Sequence, residues 1–166
     1  MNLINKLKDT KDNFVKKENI YYLMVILIIF FLDRVSKLKI INNFNESPYY
    51  INEYINLDLI WNVGIGFGLL STSSTLLYNL VTFLIGSVII FLIYFFAISK
   101  KIDKLVYSII IGGALGNFYD RLIYKAVPDF IDLHYNNFHW FVFNIADIFI
   151  TIGIVALLLN GLLIKD

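Results

Sequence analysis

The chain has 166 residues, of which 58% are hydrophobic, 17% aromatic and only 16% charged, and it carries a net charge of +1. Its mean hydropathy is +0.71, whereas soluble domains run near 45–50% apolar and about 25% charged. A soluble globular core, a disordered tail and a nucleic-acid-binding domain are therefore poor fits, and a charge of +1 supplies no field for phosphate backbones. Cysteine is absent, which excludes disulfides, zinc–thiolate sites and thiol nucleophiles. The composition is that of an integral membrane protein with one membrane-embedded domain over residues 1–166.

In chain order, residues 1–19 form a basic tail with Lys6, Lys8, Lys11, Lys16 and Lys17. The first span is expected at 20–41. Ile20 to Leu32 is uncharged but too short alone, since a crossing needs about 20 residues. The span therefore continues and takes Asp33, Arg34, Lys37 and Lys39 into its second half. Asp33-Arg34 stands where a cleaved leader would have a small-x-small site, so the segment is expected to be retained. Residues 42–75 hold Glu46, Glu53 and Asp58 without Lys or Arg. Within them, Tyr49 to Trp61 alternates in part, which predicts short strands. Asn62-Val-Gly-Ile-Gly-Phe-Gly68 is too glycine-rich for a helix interior. An uncharged second span follows at 76–98, then a loop with Lys100, Lys101 and Lys104. The third span, 105–124, carries Asp120 and Arg121 near its end; residues 125–139 read as a loop with Pro128, Asp129 and Asp132. The fourth, 140–164, has Asp147 as its only charge and Trp140 as an interface anchor.

The distribution of Lys and Arg predicts that both termini and the middle loop lie in the cytoplasm. Spans one and three then carry their charges at the outgoing end, and span four carries Asn144 and Asp147 at its beginning. Ionisable groups are costly in hydrocarbon, so they face the protein interior and mark function by default. Three spans thus converge on one polar site toward the outer face.

Each polar group admits a structural reading beside a functional one. Asp33 and Lys37, at i and i+4, suit an ion pair tying the first span to its neighbours. Asn117, Asp120 and Arg121 share a helix face behind the small residues Gly112-Gly-Ala-Leu-Gly116. Arg121 is suited to a backbone carbonyl, a carboxylate or a lipid phosphate; alternatively this is a helix end closed by an Asp120 ion pair. Asp147 as a structural residue would need Lys37 or Arg121 as a partner. Asp129 follows Pro128 between apolar residues, either held at the membrane edge or an exposed loop acid. Two carboxylates sharing a site cannot both ionise easily. The pair would supply a base to activate water and an acid to protonate a leaving amine, the aspartic-protease arrangement, with no metal or cofactor.

Rival chemistries lack parts. No His-Glu-x-x-His is present, and His134 and His139 are five apart, which suits neither helical face. Ser36 and Lys37 are adjacent and would point apart on a helix. No Asp-Thr-Gly or Asp-Ser-Gly occurs. A small transporter or proton-conducting protein built on the same acids is the alternative. It requires polar residues along a path through both leaflets, whereas the inner halves of the spans are nearly uncharged.

Asp33-x-x-Ser-Lys37, Asn62-x-Gly64, Gly112-Gly-Ala-x-Gly-Asn-x-x-Asp-Arg121, Val127-x-Asp-Phe130 and Phe143-Asn-x-Ala-Asp147, in that order, resemble the bacterial lipoprotein signal peptidases, signal peptidase II. The resemblance implies an all-α integral membrane fold of four transmembrane helices with a small extracytoplasmic β-cradle and a short surface helix. It implies a multi-pass enzyme of the bacterial cytoplasmic (inner) membrane that removes signal peptides from prolipoproteins, cutting N-terminal to a diacylglyceryl-modified cysteine. Asp129 and Asp147 would be the catalytic pair. Asn62, Gly64, Asn117, Arg121 and Asn144 would bind substrate, with Asp33, Lys37 and Asp120 in support. The implied partners are diacylglyceryl-prolipoprotein, membrane lipids and globomycin-type inhibitors, with no nucleic acid. The sequence departs from the family pattern at Ile65 and Gly66, where alanines are usual, and at Pro128.

Overall fold

The computed structural model describes residues 19–44, 47–64, 75–136 and 138–163. The tail through residue 18, Glu46, Ile65 and Gly66 lie outside these residues. The elements run α1 (Asn19–Asn43), β1 (Tyr49–Asn52), β2 (Ile55–Asn62), α2 (Thr75–Ile98), α3 (Lys101–Tyr124), β3 (Val127–Tyr135), β4 (Phe138–Phe143) and α4 (Ile145–Leu163). Four helices and one small sheet match the expected architecture; the described residues contain no additional short surface helix.

The helix α3 is the hub, packing against α1, α2 and α4. Small residues let the partners come close. A Cβ on Gly112 would sit 2.9 Å from Ile29 Cβ of α1, and one on Gly113 would sit 2.6 Å from the Ala146 carbonyl oxygen of α4. At Gly116 a Cβ would meet the Asp33 carboxylate. Farther down, Tyr22, Phe96 and Ile111 form a buried apolar cluster between α1, α2 and α3, and the Tyr22 hydroxyl donates to the Lys101 carbonyl at 3.1 Å.

The outside of the bundle is apolar and part of its inside is charged. Leu27, Phe31, Phe83, Phe91 and Leu158 are exposed, whereas Asp33, Lys37 and Asp120 are fully buried. Among the described residues, Thr75–Ile98 is the one helix long and apolar enough to cross a membrane by length and composition, with Ile145–Gly161 a shorter apolar stretch. The charges on α1 and α3 separate those helices from that class.

Two boundaries differ from expectation. The helix α3 begins at Lys101, before the expected Leu105, because Asp103 in its first turn complements the helix dipole. The larger correction is at the fourth span: Trp140 to Phe143 is strand, and α4 starts at Ile145. Phe138-His-Trp-Phe-Val-Phe143 is aromatic and β-branched, favours a pleated surface, and pairs antiparallel with β3. Residues 125–139, expected as a loop, are mostly β3. Lys125 adopts φ 56°, which turns the chain out of α3 and allows Val127 to begin a strand. Pro128 opposes Trp61 of β2, and among the described residues β4 pairs with β3 only from Ile131 onward, so this end of β3 has an edge where a missing donor is tolerated.

The sheet is wholly antiparallel in the order β1-β2-β3-β4. Ile60 opposes Asp129, Trp61 opposes Pro128 and Asn62 opposes Val127, beyond a bulge between Leu57 and Ile60. His134 and His139, ill-spaced for a helix, stand opposite each other on the β3–β4 hairpin.

Candidate active site

The deepest polar layer is ionic and saturated. Lys37 Nζ donates to Asp33 Oδ2 at 2.7 Å, Asp120 Oδ2 at 2.7 Å and Asn117 Oδ1 at 2.8 Å, using all three ammonium donors. The second oxygen of Asp33 accepts the Ala146 N–H of α4 at 3.0 Å, one of the backbone donors that a helix start leaves unsatisfied. The second oxygen of Asp120 pairs with Arg34. Arg34 in turn lies over the Tyr119 ring, 4.8 Å from its centroid. Asp33, Lys37 and Asp120 thus tie α1 to α3 and α4. Arg34 was not singled out from sequence; its signal was its place between Asp33 and Lys37 in the same charged half-span.

Next to this layer sit Asp129 and Asp147. Asn144 is the N-cap of α4, and its bonds with Asp147 are reciprocal. The Asp147 N–H donates to Asn144 Oδ1 at 3.1 Å, and the Asn144 N–H donates to Asp147 Oδ2 at 3.1 Å, the logic of a capping box. Asn144 Nδ2 then donates to Asp129 Oδ1 at 2.6 Å. One asparagine therefore holds both carboxylates. Asn62 Nδ2 donates to Asp129 Oδ2 at 2.8 Å, and Asn117 Nδ2 donates to Asp147 Oδ1 at 2.8 Å. Asn117 thereby links the Lys37 ammonium to Asp147 through its two amide atoms.

Among the described residues, neither Asp129 nor Asp147 has a salt bridge. Lys37 and Arg121, the partners considered for Asp147, make their direct bonds elsewhere. Asp129 is 3% exposed. Burial, reinforced by the charge of Asp147, pushes its carboxyl up to about 7, against the opposing effect of the Asn62 and Asn144 amides and of Lys37.

Arg121 joins α3 to the end of β2. Its Nη2 donates to the Gly64 carbonyl at 2.8 Å and its Nη1 to the Asn117 carbonyl at 3.3 Å, so a backbone carbonyl is the partner it takes. The Gly64 N–H donates to Asn62 Oδ1 at 2.8 Å, which orients the amide that holds Asp129. Among the described residues, the buried Arg121 Nε has no hydrogen-bond partner. Asn62, Gly64, Asn117, Arg121 and Asn144 are thus one connected network around the acids. Asp147 also lines an open cavity of about 270 Å³ with Phe141, Phe143, Ile148, Thr151 and Ile152. These apolar neighbours had no distinguishing mark in a chain this hydrophobic.

Comparisons with known proteins point to one family. The family described as signal peptidase (SPase) II matches residues 25–163. The lipoprotein signal peptidase of Pelagibacter ubique (strain HTCC1062) is 48% identical over 158 residues, covering 93% of this chain and 95% of that protein. The lipoprotein signal peptidase of Francisella tularensis subsp. novicida (strain U112) is 37% identical over 159 residues, covering 92% and 98%. A solved bacterial membrane enzyme, determined by the in meso method at 2.3 Å, superimposes with a TM-score of 0.72 at 28% identity, covering 86% of this chain and 87% of its own. With the match running from within α1 to the end of α4 and including every residue of the acid network, the chain belongs to the signal peptidase II family.

Proposed function

We propose that this protein is an aspartic endopeptidase of the bacterial cytoplasmic membrane that removes signal peptides from prolipoproteins, cutting N-terminal to a diacylglyceryl-modified cysteine. The observation that carries the reading is the pair Asp129 and Asp147, buried or partly buried, bridged by Asn144 and held by amides rather than cations.

In this reading the pair shares one proton near neutral pH and titrates as a unit. Asp129, with its carboxyl at about 7, is poised to exchange that proton. The ionised member takes a proton from water, and the hydroxyl attacks the scissile carbonyl carbon. The protonated member donates to the departing amine as the C–N bond breaks. Asn62, Asn117 and Asn144 keep the carboxyl groups in fixed orientations, and Arg121, through Gly64, holds the end of β2 that carries Asn62. The apolar cavity beside Asp147 suits the hydrophobic part of a lipid-bearing substrate. All four helices cross the membrane with both termini in the cytoplasm, which sets the acids toward the outer leaflet, where lipid-anchored substrate and globomycin-type inhibitors enter.

The test is a gel-shift cleavage assay in detergent or liposomes with diacylglyceryl-modified prolipoprotein. Wild type, Asp129→Asn and Asp147→Asn are compared with and without globomycin. Cleavage by wild type alone, stopped by globomycin, is the expected result. Cleavage by both variants at the wild-type rate would remove the dyad from the mechanism, and a folded wild type that never cleaves would remove the activity itself.

A further inference from the structure

The β3–β4 hairpin gathers a second polar cluster that the peptidase reading does not use. Asp132 and His134 are two apart on β3 and so share a face, and His139 of β4 lies directly opposite His134. The two imidazoles stack with centroids 5.3 Å apart and an interplanar angle of 23°. From Asp132 Oδ2, His139 Nδ1 is 2.8 Å away and His134 Nδ1 is 3.7 Å away. One ligand atom from each of the three residues falls within 4.8 Å of the others.

Among the described residues, three buried atoms on this patch have no hydrogen-bond partner: Asp132 Oδ1, His134 Nδ1 and Asn56 Oδ1. Asn56 opposes Asp132 on β2. The Asp132 and His134 side chains are 3% and 9% exposed. Each of these atoms can offer a lone pair, and buried acceptors without donors are costly. Acceptors collected in one place are best served by a single electron-pair acceptor. Donor atoms around a tetrahedral zinc-type ion at about 2.0–2.1 Å stand about 3.3 Å apart, between the separations seen here. His139, at 59% exposed, is free to make the adjustment and leaves the site open to entry.

We propose that Asp132, His134 and His139 form a binding site for a divalent first-row transition metal ion of the zinc type. Asn56 Oδ1 is the adjacent oxygen donor. Two imidazoles and one carboxylate are a ligand set that such ions favour, with a position left for water. The ion clamps the hairpin whose first strand carries Asp129 and whose second runs into Asn144. The proposal does not rest on the peptidase reading, because it is read by binding alone.

The experiment uses the full chain without a polyhistidine tag, purified in detergent and stripped with chelator. Zn²⁺ alone is titrated by calorimetry and Co²⁺ by visible absorption. Wild type is expected to take one equivalent and to give the intense bands of tetrahedral Co²⁺. His139→Ala, at an exposed position that does not endanger folding, weakens binding at least about 100-fold, and Asp132→Asn does the same. Asp129→Asn binds as wild type does. The proposal is overturned if wild type shows no saturable binding, if His139→Ala binds equally well, or if Asp129→Asn loses the ion, which would put it on the dyad.

Discussion

Two sets of buried or partly buried carboxylates lie next to each other in this protein, and their partners differ. Asp33 and Asp120 meet the Lys37 ammonium and the Arg34 guanidinium. Asp129 and Asp147 meet the side-chain amides of Asn62, Asn117 and Asn144, together with the Asn144 N–H. An acid hydrogen-bonded to a cation forms one half of an ion pair that joins two helices. An acid held by neutral amide and N–H donors keeps its orientation with no cation hydrogen-bonded to it. Burial alone would not separate the two classes, since Asp120 and Asp129 are both nearly inaccessible. The partner chemistry does.

Substitutions can break this contrast in graded ways. The largest expected effect is on turnover: Asp129→Asn or Asp147→Asn lowers the cleavage rate by at least about 10³-fold, while thermal melting in detergent shows the fold retained. Lys37→Met reverses the pattern. It strands two buried carboxylates and costs about 3–5 kcal/mol of stability, read as a lowered melting temperature and a reduced folded yield.

The pH dependence sharpens the comparison further. Because the Asp129 carboxyl is raised from 3.8 to about 7 in the folded state, the stability it contributes is fully present below about pH 4 and lost as pH rises through about 7. Between about pH 5 and about pH 8, wild type should lose on the order of 3 kcal/mol relative to Asp129→Asn, in which that position no longer titrates. A parallel pair of melting curves across that range would contradict the assignment.

Smaller effects test the geometry that brings the layers together. Gly113→Ala drives a Cβ toward the Ala146 carbonyl, moves α4 away from α3 and costs about 1–3 kcal/mol. It should also reduce cleavage, because Asn117 on α3 must reach Asp147 on α4. Arg34→Lys keeps the charge beside Asp120 but loses the stacking on Tyr119 and Tyr124. It is expected to cost about 1 kcal/mol with little change in turnover per folded molecule.

The parts that were legible in the sequence are those governed by local spacing. The uncharged run of α2 and the i, i+3 and i+4 relations among Asn117, Asp120 and Arg121 need no partner to be seen. The charge-bearing half of α1 and the alternation in β1 and β2 were visible for the same reason. Residues 125–143 misled because two cues opposed the true state. Proline and acids in β3 looked like a loop, and the apolar Trp140 to Phe143 merged with the apolar start of α4. Their strand character depends on pairing across the hairpin, which spacing does not encode. The meeting of His134 with His139 and the double use of Asn144 arise from that hairpin and were hidden with it.

The reciprocal cap at Asn144 and Asp147 has a consequence for how the site is prepared. A reactive carboxyl usually loses rotamer freedom when substrate arrives, and that loss adds to the barrier. Here the main chain immobilises Asp147 as soon as α4 forms its first turn, so in the proposed mechanism the entropy is surrendered during folding and not during each encounter with substrate. The orientation of the acid is inherited from helix initiation.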